Sequence, residues 1–307
     1  MTALLNDETG VAERASGLVV EPIAGHIGAI VHGIDLAEDL SDADVTAVKD
    51  ALLRHGVVFF QNQQLSPEAQ TAFAGRLGPL TLSHPNSLDV NTTNVLELAD
   101  MRANHWHTDV SFVDRPPFAS LLAHVSTPAV GGDTAWASGV AAYKQLPPAL
   151  QQLADDIEVL HSNQFDYARL AGDEANQKRL AEHFANNQFE TAHPAVRVIP
   201  ETGEKALFLG GFTTKIVGFS PNQSRAILDL LQAQIVHINN TVRWKWSPGD
   251  VVLWDNRTVQ HTAVDDLEDY TGRTLRRVTV AGPVPTGVGG RRSRVLRGDS
   301  SSYTPAI

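Results

Sequence analysis

Apolar residues first recur at alternate positions in two short runs, near Leu18–Ile23 and Ala29–Ile34, separated by a Gly-rich turn. That period predicts strands with one buried face. The spacing then becomes helical. Val45, Val48 and Leu52 fall on one face of a helix that begins at Ser41, whose hydroxyl can cap orphan N–H groups while Asp44 acts as a shortened capping-box partner. Gly56 stops it. Val57–Phe60 is wholly apolar, as a strand covered on both faces must be. Ser66, Pro67 and Glu68 supply the cap, first-turn proline and early acid of a second helix, with Ala69, Phe73 and Leu77 inward and Gly78-Pro79 as its stop.

From Val90 onward short β-like runs alternate with Pro, Gly and Asn. The clearest are Ala119–His124, Ala195–Ile199 with Ala206–Leu209 around Glu201–Glu204, Val242–Trp246 with Val251–Trp254 around Ser247–Asp250, and Thr274–Ala281. Such spacing predicts antiparallel hairpins closing into a sandwich or jelly roll, a mainly β fold. Helices are predicted at about Pro148–Asp156, Gln177–Ala185 and, capped by Ser220, Pro221–Ile238. No 20- to 50-residue repeat is visible.

Length and charge narrow the function. The 307 residues suit either one large domain or two. With 24 Lys+Arg against 35 Asp+Glu, the net charge of −11 provides no general field for nucleic acid or anionic membrane, so neither is an expected partner. Hydrophobic residues at 42% supply a core. Zero cysteine excludes disulfides, thiolate nucleophiles, iron–sulfur clusters and Cys-ligated zinc. Any metal must use His, Asp or Glu. Residues 1–16 carry Asp7, Glu8, Glu13 and Arg14 without a long apolar core, and no run reaches the roughly 18 apolar residues of a membrane span. The expectation is a cytoplasmic protein.

Asn104-His105-Trp106-His107-Thr108-Asp109 is the first dense chemical cluster. In an extended segment His107 and Asp109 share a face and can share a metal, but His105 has the same parity, so spacing leaves the pair open. A His-x-Asp alone is more often a polar strand edge. Trp254-Asp255-Asn256-Arg257 and Gln260-His261 offer a second imidazole, and two imidazoles with one carboxylate suit Fe(II) with open positions. Mn(II) or catalytic zinc would accept the same donors. In Arg273-Thr274-Leu275-Arg276-Arg277, strand parity places Arg273 and Arg277 on one face and Arg276 on the other. Two inward guanidiniums need anions to meet them, which implies two small anionic ligands unless the strand is a salt-bridged surface one. Gly131-Gly132-Asp133-Thr134 permits a tight bend and adds a hydroxyl donor.

Together these residues resemble the taurine dioxygenase family of Fe(II)/2-oxoglutarate-dependent enzymes, which includes alkylsulfatase and aryloxyalkanoate dioxygenases. The resemblance runs from about Val19 to about Pro283. It is carried by Trp106–Val110, Gly131–Thr134, Trp136–Gly139 followed by Ala141-Ala142-Tyr143, Ala206–Phe208, Gly211–Thr214, Trp254–Arg257 and Gln260-His261. It implies a double-stranded β-helix, a cupin-like distorted jelly roll, with flanking helices. By position, His107, Asp109 and His261 match the iron ligands and leave His105 beside them, lining the pocket or supporting a ligand. Thr134 and Arg273 match the residues holding the distal carboxylate of 2-oxoglutarate. Arg277 matches the clamp for a substrate sulfonate or sulfate, and His84, Val110 and Phe212 match substrate-pocket positions.

The implied reaction uses Fe(II), 2-oxoglutarate and O2 to hydroxylate a small anionic organic substrate, releasing an aldehyde, sulfate or sulfite, succinate and CO2. Taurine-specific members carry an aromatic residue where this chain has Ser87 and an amide where it has Ala103, which points to a longer or bulkier substrate of alkylsulfatase type. The interval from His261 to Arg273 is about one residue longer than expected, placing a small insertion at Asp265–Thr271. A carboxylate substrate of aryloxyalkanoate or natural-product type, a zinc hydrolase and a non-catalytic barrel are the rival readings. The expected organisation is a flexible 1–16, one catalytic domain over 17–286 and a mobile Gly-, Arg- and Ser-rich tail over 287–307. A homo-oligomer, dimer or tetramer, is expected from the resemblance.

Overall fold

A computed structural model describes residues 13–15, 17–85, 93–99, 103–164, 178, 187–267 and 272–305. The N-terminal elements follow the local signals. Strands β1 (Glu13–Ala15), β2 (Leu18–Pro22) and β3 (Ala29–His32) precede helix α1 (Asp42–His55), strand β4 (Val57–Phe60) and helix α2 (Pro67–Leu77). Ser41 and Asp44 form the full reciprocal capping box on α1, and Ser66 caps α2 with Pro67 in its first turn. Strands β5 (Val95–Ala99), β6 (Ala119–Ser126) and β7 (Thr134–Ser138) lead to helices α3 (Gly139–Gln145) and α4 (Pro148–Asp156). Then come β8 (Glu158–Ser162), β9 (Glu190–Pro194), β10 (Val196–Val198), β11 (Lys205–Leu207), β12 (Thr213–Ile216) and α5 (Pro221–Ile235). The last strands are β13 (Thr241–Trp244), β14 (Val251–Asp255), β15 (Val259–Ala263), β16 (Thr274–Val280) and β17 (Arg294–Arg297). The helix expected at Gln177–Ala185 lies outside the described residues except for Lys178.

An eight-stranded sheet runs in the order β1-β2-β3-β4-β14-β6-β16-β5, and a three-stranded sheet, β13-β7-β15, packs against its inner face. Side-chain alternation builds the two layers. Phe59, Leu122, Val252, Trp254 and Leu275 point inward to meet Trp136 and Val259. Their neighbours Val58, Phe60, Leu121, Leu253 and Val278 point outward to meet Val48, Leu52 and Phe73 of α1 and α2. That double cover is why Val57–Phe60 is apolar throughout. Helices α3, α4 and α5 bury Tyr143, Leu146, Ala154 and Leu231 in a separate cluster with β8, β10 and β11. The mainly β jelly-roll architecture with outer helices is thus present.

Two expectations need correction. Val242–Trp246 and Val251–Trp254 do not form a hairpin: β13 pairs with β7 in the small sheet, whereas β14 pairs with β4 and β6 in the large one. Asp250 makes the turn between them a corner, accepting from Trp244 Nε1 and from the Ser247 amide, each at 2.8 Å. The 287–307 tail is also more than a loose end. Strand β17 pairs with β9 at the edge of the sheet β12-β8-β9-β17, and Tyr303 is 1% exposed. Burial of that aromatic ring outweighs the polar composition around it. Of the expected flexible N-terminus, residues 1–12 and 16 lie outside the described residues, and Glu13–Ala15 pairs with β2.

Candidate active site

Two segments about 150 residues apart meet at one point. The amide of His107 donates to the His261 carbonyl at 3.0 Å, and the His261 amide returns a bond to the His107 carbonyl at 2.8 Å. His107 and Asp109, two residues apart, aim inward with His261, which projects from β15. The Nε2 atoms of His107 and His261 lie 4.0 and 3.8 Å from Asp109 Oδ1. All three side chains are buried, and one donor atom from each lies within 4.8 Å of the others.

The surroundings fix each donor. His107 Nδ1 bonds the His105 carbonyl at 2.8 Å, which turns Nε2 toward Asp109. Burial, followed by the charge of His261, pushes His107 down to about 3. Burial also pushes His261 down to about 4, against the pull of Asp109. Both rings are therefore neutral at neutral pH and offer lone pairs. Burial would raise Asp109, but Arg277 and then the two histidines outweigh it and hold the carboxyl at about 2. Asp109 Oδ2 accepts from Ser120 Oγ at 2.6 Å. Ser120 in turn accepts from Asn256 Nδ2 at 2.8 Å, and Asn256 Oδ1 accepts from Trp254 Nε1 at 2.9 Å. The Trp254–Asn256 motif thus orients the carboxylate through Ser120.

Strand β16 delivers the basic groups as parity predicts. Arg277 points inward and its Nη1 donates to Asp109 Oδ1. Arg276 points outward and donates to Gln70 Oε1 on α2 at 2.7 Å. Arg273, just before the strand, donates through Nε to the Gly132 carbonyl at 2.9 Å and through Nη2 to Thr134 Oγ1 at 3.3 Å. Thr134 also accepts from Trp246 Nε1 at 2.9 Å and stands opposite Ala263, two positions from His261 on β15. The Gly131-Gly132 bend has positive φ at both glycines, and the Gly132 amide is held by Asp266 Oδ1 at 2.9 Å.

The remaining expected residues gather on one side. Phe212 sets its ring edge-on to both His107 and His105, with centroids 6.0 Å apart in each case. Val110 joins Phe212, Phe112, Val113 and Phe189 in one apolar cluster and takes φ +49°, a left-handed conformation that costs a β-branched residue. His84 tilts against Phe112 with centroids 6.4 Å apart. His105 is exposed beside His107, and its carbonyl provides the orienting contact already described. Ser87 and part of the proposed insertion, 268–271, lie outside the described residues. Sequence reasoning missed Ser120, Trp246 and Tyr303. Only Ser120 carried a signal, a polar side chain next to the apolar run Leu121–Ala123.

The donor set fits a divalent iron. Two neutral imidazoles and one carboxylate would leave positions open for a chelating oxoacid and O2, and the chain has no cysteine thiolate to compete as a ligand. Such a triad inside a jelly roll suits an oxygenase with open metal positions. The chain belongs to the taurine catabolism dioxygenase TauD, TfdA family, whose model matches residues 20–279. It is an α-ketoglutarate-dependent dioxygenase.

Two curated relatives are similar over nearly their whole length. The α-ketoglutarate-dependent sulfate ester dioxygenase of Pseudomonas putida is 46% identical, across 95% of this chain and 99% of that protein. The alkylsulfatase of Acinetobacter baylyi is 42% identical, across 93% and 92%. A solved taurine dioxygenase from Burkholderia xenovorans superposes with a TM-score of 0.78 at 36% identity, covering 92% of this chain and 95% of that one. The cupin-like double-stranded β-helix expected from the sequence is the fold these proteins share.

Proposed function

We propose that the chain oxidises small alkyl sulfate esters or sulfonates, using Fe(II) held by His107, Asp109 and His261. Arg273 and Thr134 hold the distal carboxylate of 2-oxoglutarate, and Arg277 holds the substrate's sulfate or sulfonate. The observation that carries this reading is a pair of buried guanidinium groups, Arg277 on β16 directed at Asp109 of the three-donor cluster and Arg273 just before that strand directed at the Thr134 hydroxyl. Two separate anions, one co-substrate and one substrate, meet that arrangement. The names of the relatives in Pseudomonas putida and Acinetobacter baylyi support sulfate esters.

Iron held by His107, Asp109 and His261 would supply the activation of O2 needed to oxidise the substrate carbon. The protein positions that carbon. Arg277 fixes the anionic end, while Val110, Phe212 and His84 line the space for the organic tail and exclude water. Hydroxylation at the carbon bearing the sulfate oxygen yields an unstable product that collapses to an aldehyde and sulfate, while 2-oxoglutarate ends as succinate and CO2. The proposal includes a cytoplasmic homo-oligomer of two or four chains, which fractionation and light scattering would test.

A decisive assay measures succinate release with Fe(II) and 2-oxoglutarate in air against alkyl sulfates, alkyl sulfonates and aryloxy acids. Sulfate esters should give the highest kcat/KM. A preference for aryloxy acids would assign Arg277 to a carboxylate instead. Turnover without O2 and 2-oxoglutarate would overturn the reading and favour a zinc hydrolase.

A further inference from the structure

The C-terminal segment packs against the apolar side of this site. After the positive-φ Gly298, residues 299–305 fold back over the chain that carries His107 and Asp109. Ser300 Oγ donates to Asp114 Oδ1 at 2.5 Å. Arg115 donates to the carbonyls of Thr304 and Pro305 at 2.6 and 2.9 Å, and Thr304 Oγ1 returns a bond to the Arg115 carbonyl at 3.1 Å. The Leu82 amide donates to the Tyr303 carbonyl at 3.1 Å, two residues before His84. The segment therefore ties the end of the ligand-bearing stretch to the start of the His84 loop.

These bonds seat Tyr303 in the apolar cluster that contains Val110 and Phe212. Its hydroxyl faces the hydroxyls of Thr81 and Thr279, which are bonded to each other, and it completes no hydrogen bond of normal geometry within the protein. Thr279 lies two residues beyond Arg277 and so shares its inward parity on β16. The phenol is close enough to feel the charges of Arg277 and Asp109, and burial pushes its pKa up to about 12, so it keeps its proton. A buried hydroxyl left without a well-formed hydrogen bond is costly, and a ligand reaching this site would complete it.

We propose that Tyr303 is a second donor of the substrate-anion site, its hydroxyl bonding the oxyanion held by Arg277 while its ring walls the adjoining apolar space. This rests on Arg277 binding the substrate anion. A sulfate ester presents three terminal oxygens, more than one guanidinium fork satisfies, and a neutral phenol adds a bond without adding charge. Tyr303 would then distinguish tetrahedral oxyanions from planar carboxylates.

The test compares wild type, Tyr303→Phe and Tyr303→Leu with the best alkyl sulfate of the panel. Tyr303→Phe should keep the wild-type melting temperature and the KM for 2-oxoglutarate. It should raise the alkyl sulfate KM about tenfold, the loss of one charge-assisted hydrogen bond. Tyr303→Leu should raise that KM at least as much. A Tyr303→Phe variant with substrate KM within twofold of wild type overturns the proposal and leaves the sulfate ester reading intact. Equal rises in the KM of both substrates would show general loosening and also overturn it. Failure of the wild type to turn over any sulfate ester or sulfonate would instead remove the functional reading, and the Tyr303 proposal with it.

Discussion

Ser120→Ala isolates the support beneath the proposed iron ligand. Ser120 is fully buried, and its 2.6 Å bond to Asp109 Oδ2 joins a neutral donor to a carboxylate. Such bonds contribute about 1.5–3 kcal/mol. The substitution also strips Asn256 Nδ2 of the acceptor it finds at 2.8 Å. Loss of a partner behind a metal ligand commonly weakens affinity about 10- to 100-fold, or roughly 1.4–2.7 kcal/mol, so the two estimates agree. Anaerobic calorimetric titration with Mn(II) would read this directly, with Fe(II) as the second metal. Ser120→Thr, which keeps the hydroxyl, should stay near wild type. A Ser120→Ala dissociation constant within twofold of wild type would refute the argument that this chain of hydrogen bonds orients Asp109.

Other expectations follow from single contacts. His107→Ala should abolish 2-oxoglutarate turnover, and unchanged succinate release would move the iron site elsewhere. Arg277→Ala should raise the KM of the anionic substrate tenfold or more while uncoupled 2-oxoglutarate decay persists; an unchanged KM removes the anion clamp. Gly132→Ala forces a side chain onto φ +74°, with its Cβ 3.2 Å from Arg273 Cδ and 3.1 Å from Leu267 Cδ1. A stability loss of about 1–3 kcal/mol and a higher KM for 2-oxoglutarate should result, measured by urea melts and initial rates. Burial pushes His161 down to about 3 and His193 well below its usual value. The unfolded chain then binds more protons than the folded one from about pH 6.5 downward. Stability should therefore be complete above pH 6.5 and fall on acidification, by up to about 1.4 kcal/mol per pH unit for each histidine. His161→Asn should flatten that slope in urea titrations between pH 7 and 5; an identical slope would show that His161 does not carry it.

What was legible in the sequence was what local physics decides. The Ser41, Ser66 and Ser220 caps each depend on residues within three positions, and all three are present. The β10–β11 pair closes a short turn and was readable for the same reason. Parity on β16 placed Arg277 inward and Arg276 outward without knowledge of the partners. The false hairpin had equally good local signals, but β4 and β6 on one side and β7 on the other decide which sheet each strand joins. Those competitors lie far away in the chain. Tyr303 was invisible for a similar reason, because the cavity that buries it is formed by Val110, Phe112 and Phe212. Ser120 was readable only as a polar residue in a strand, and its role depends on Asp109 and Asn256, which meet its hydroxyl from distant parts of the chain.

The reciprocal backbone bond between His107 and His261 has a consequence for folding. Bringing together points about 150 residues apart carries a loop-closure cost of roughly 4–5 kcal/mol, and here the sheets meet it through main-chain pairing and a packed interior. The spacing of the two imidazoles is thus coupled to folding itself, and a substitution that loosens either sheet should be felt at this junction as well as in stability.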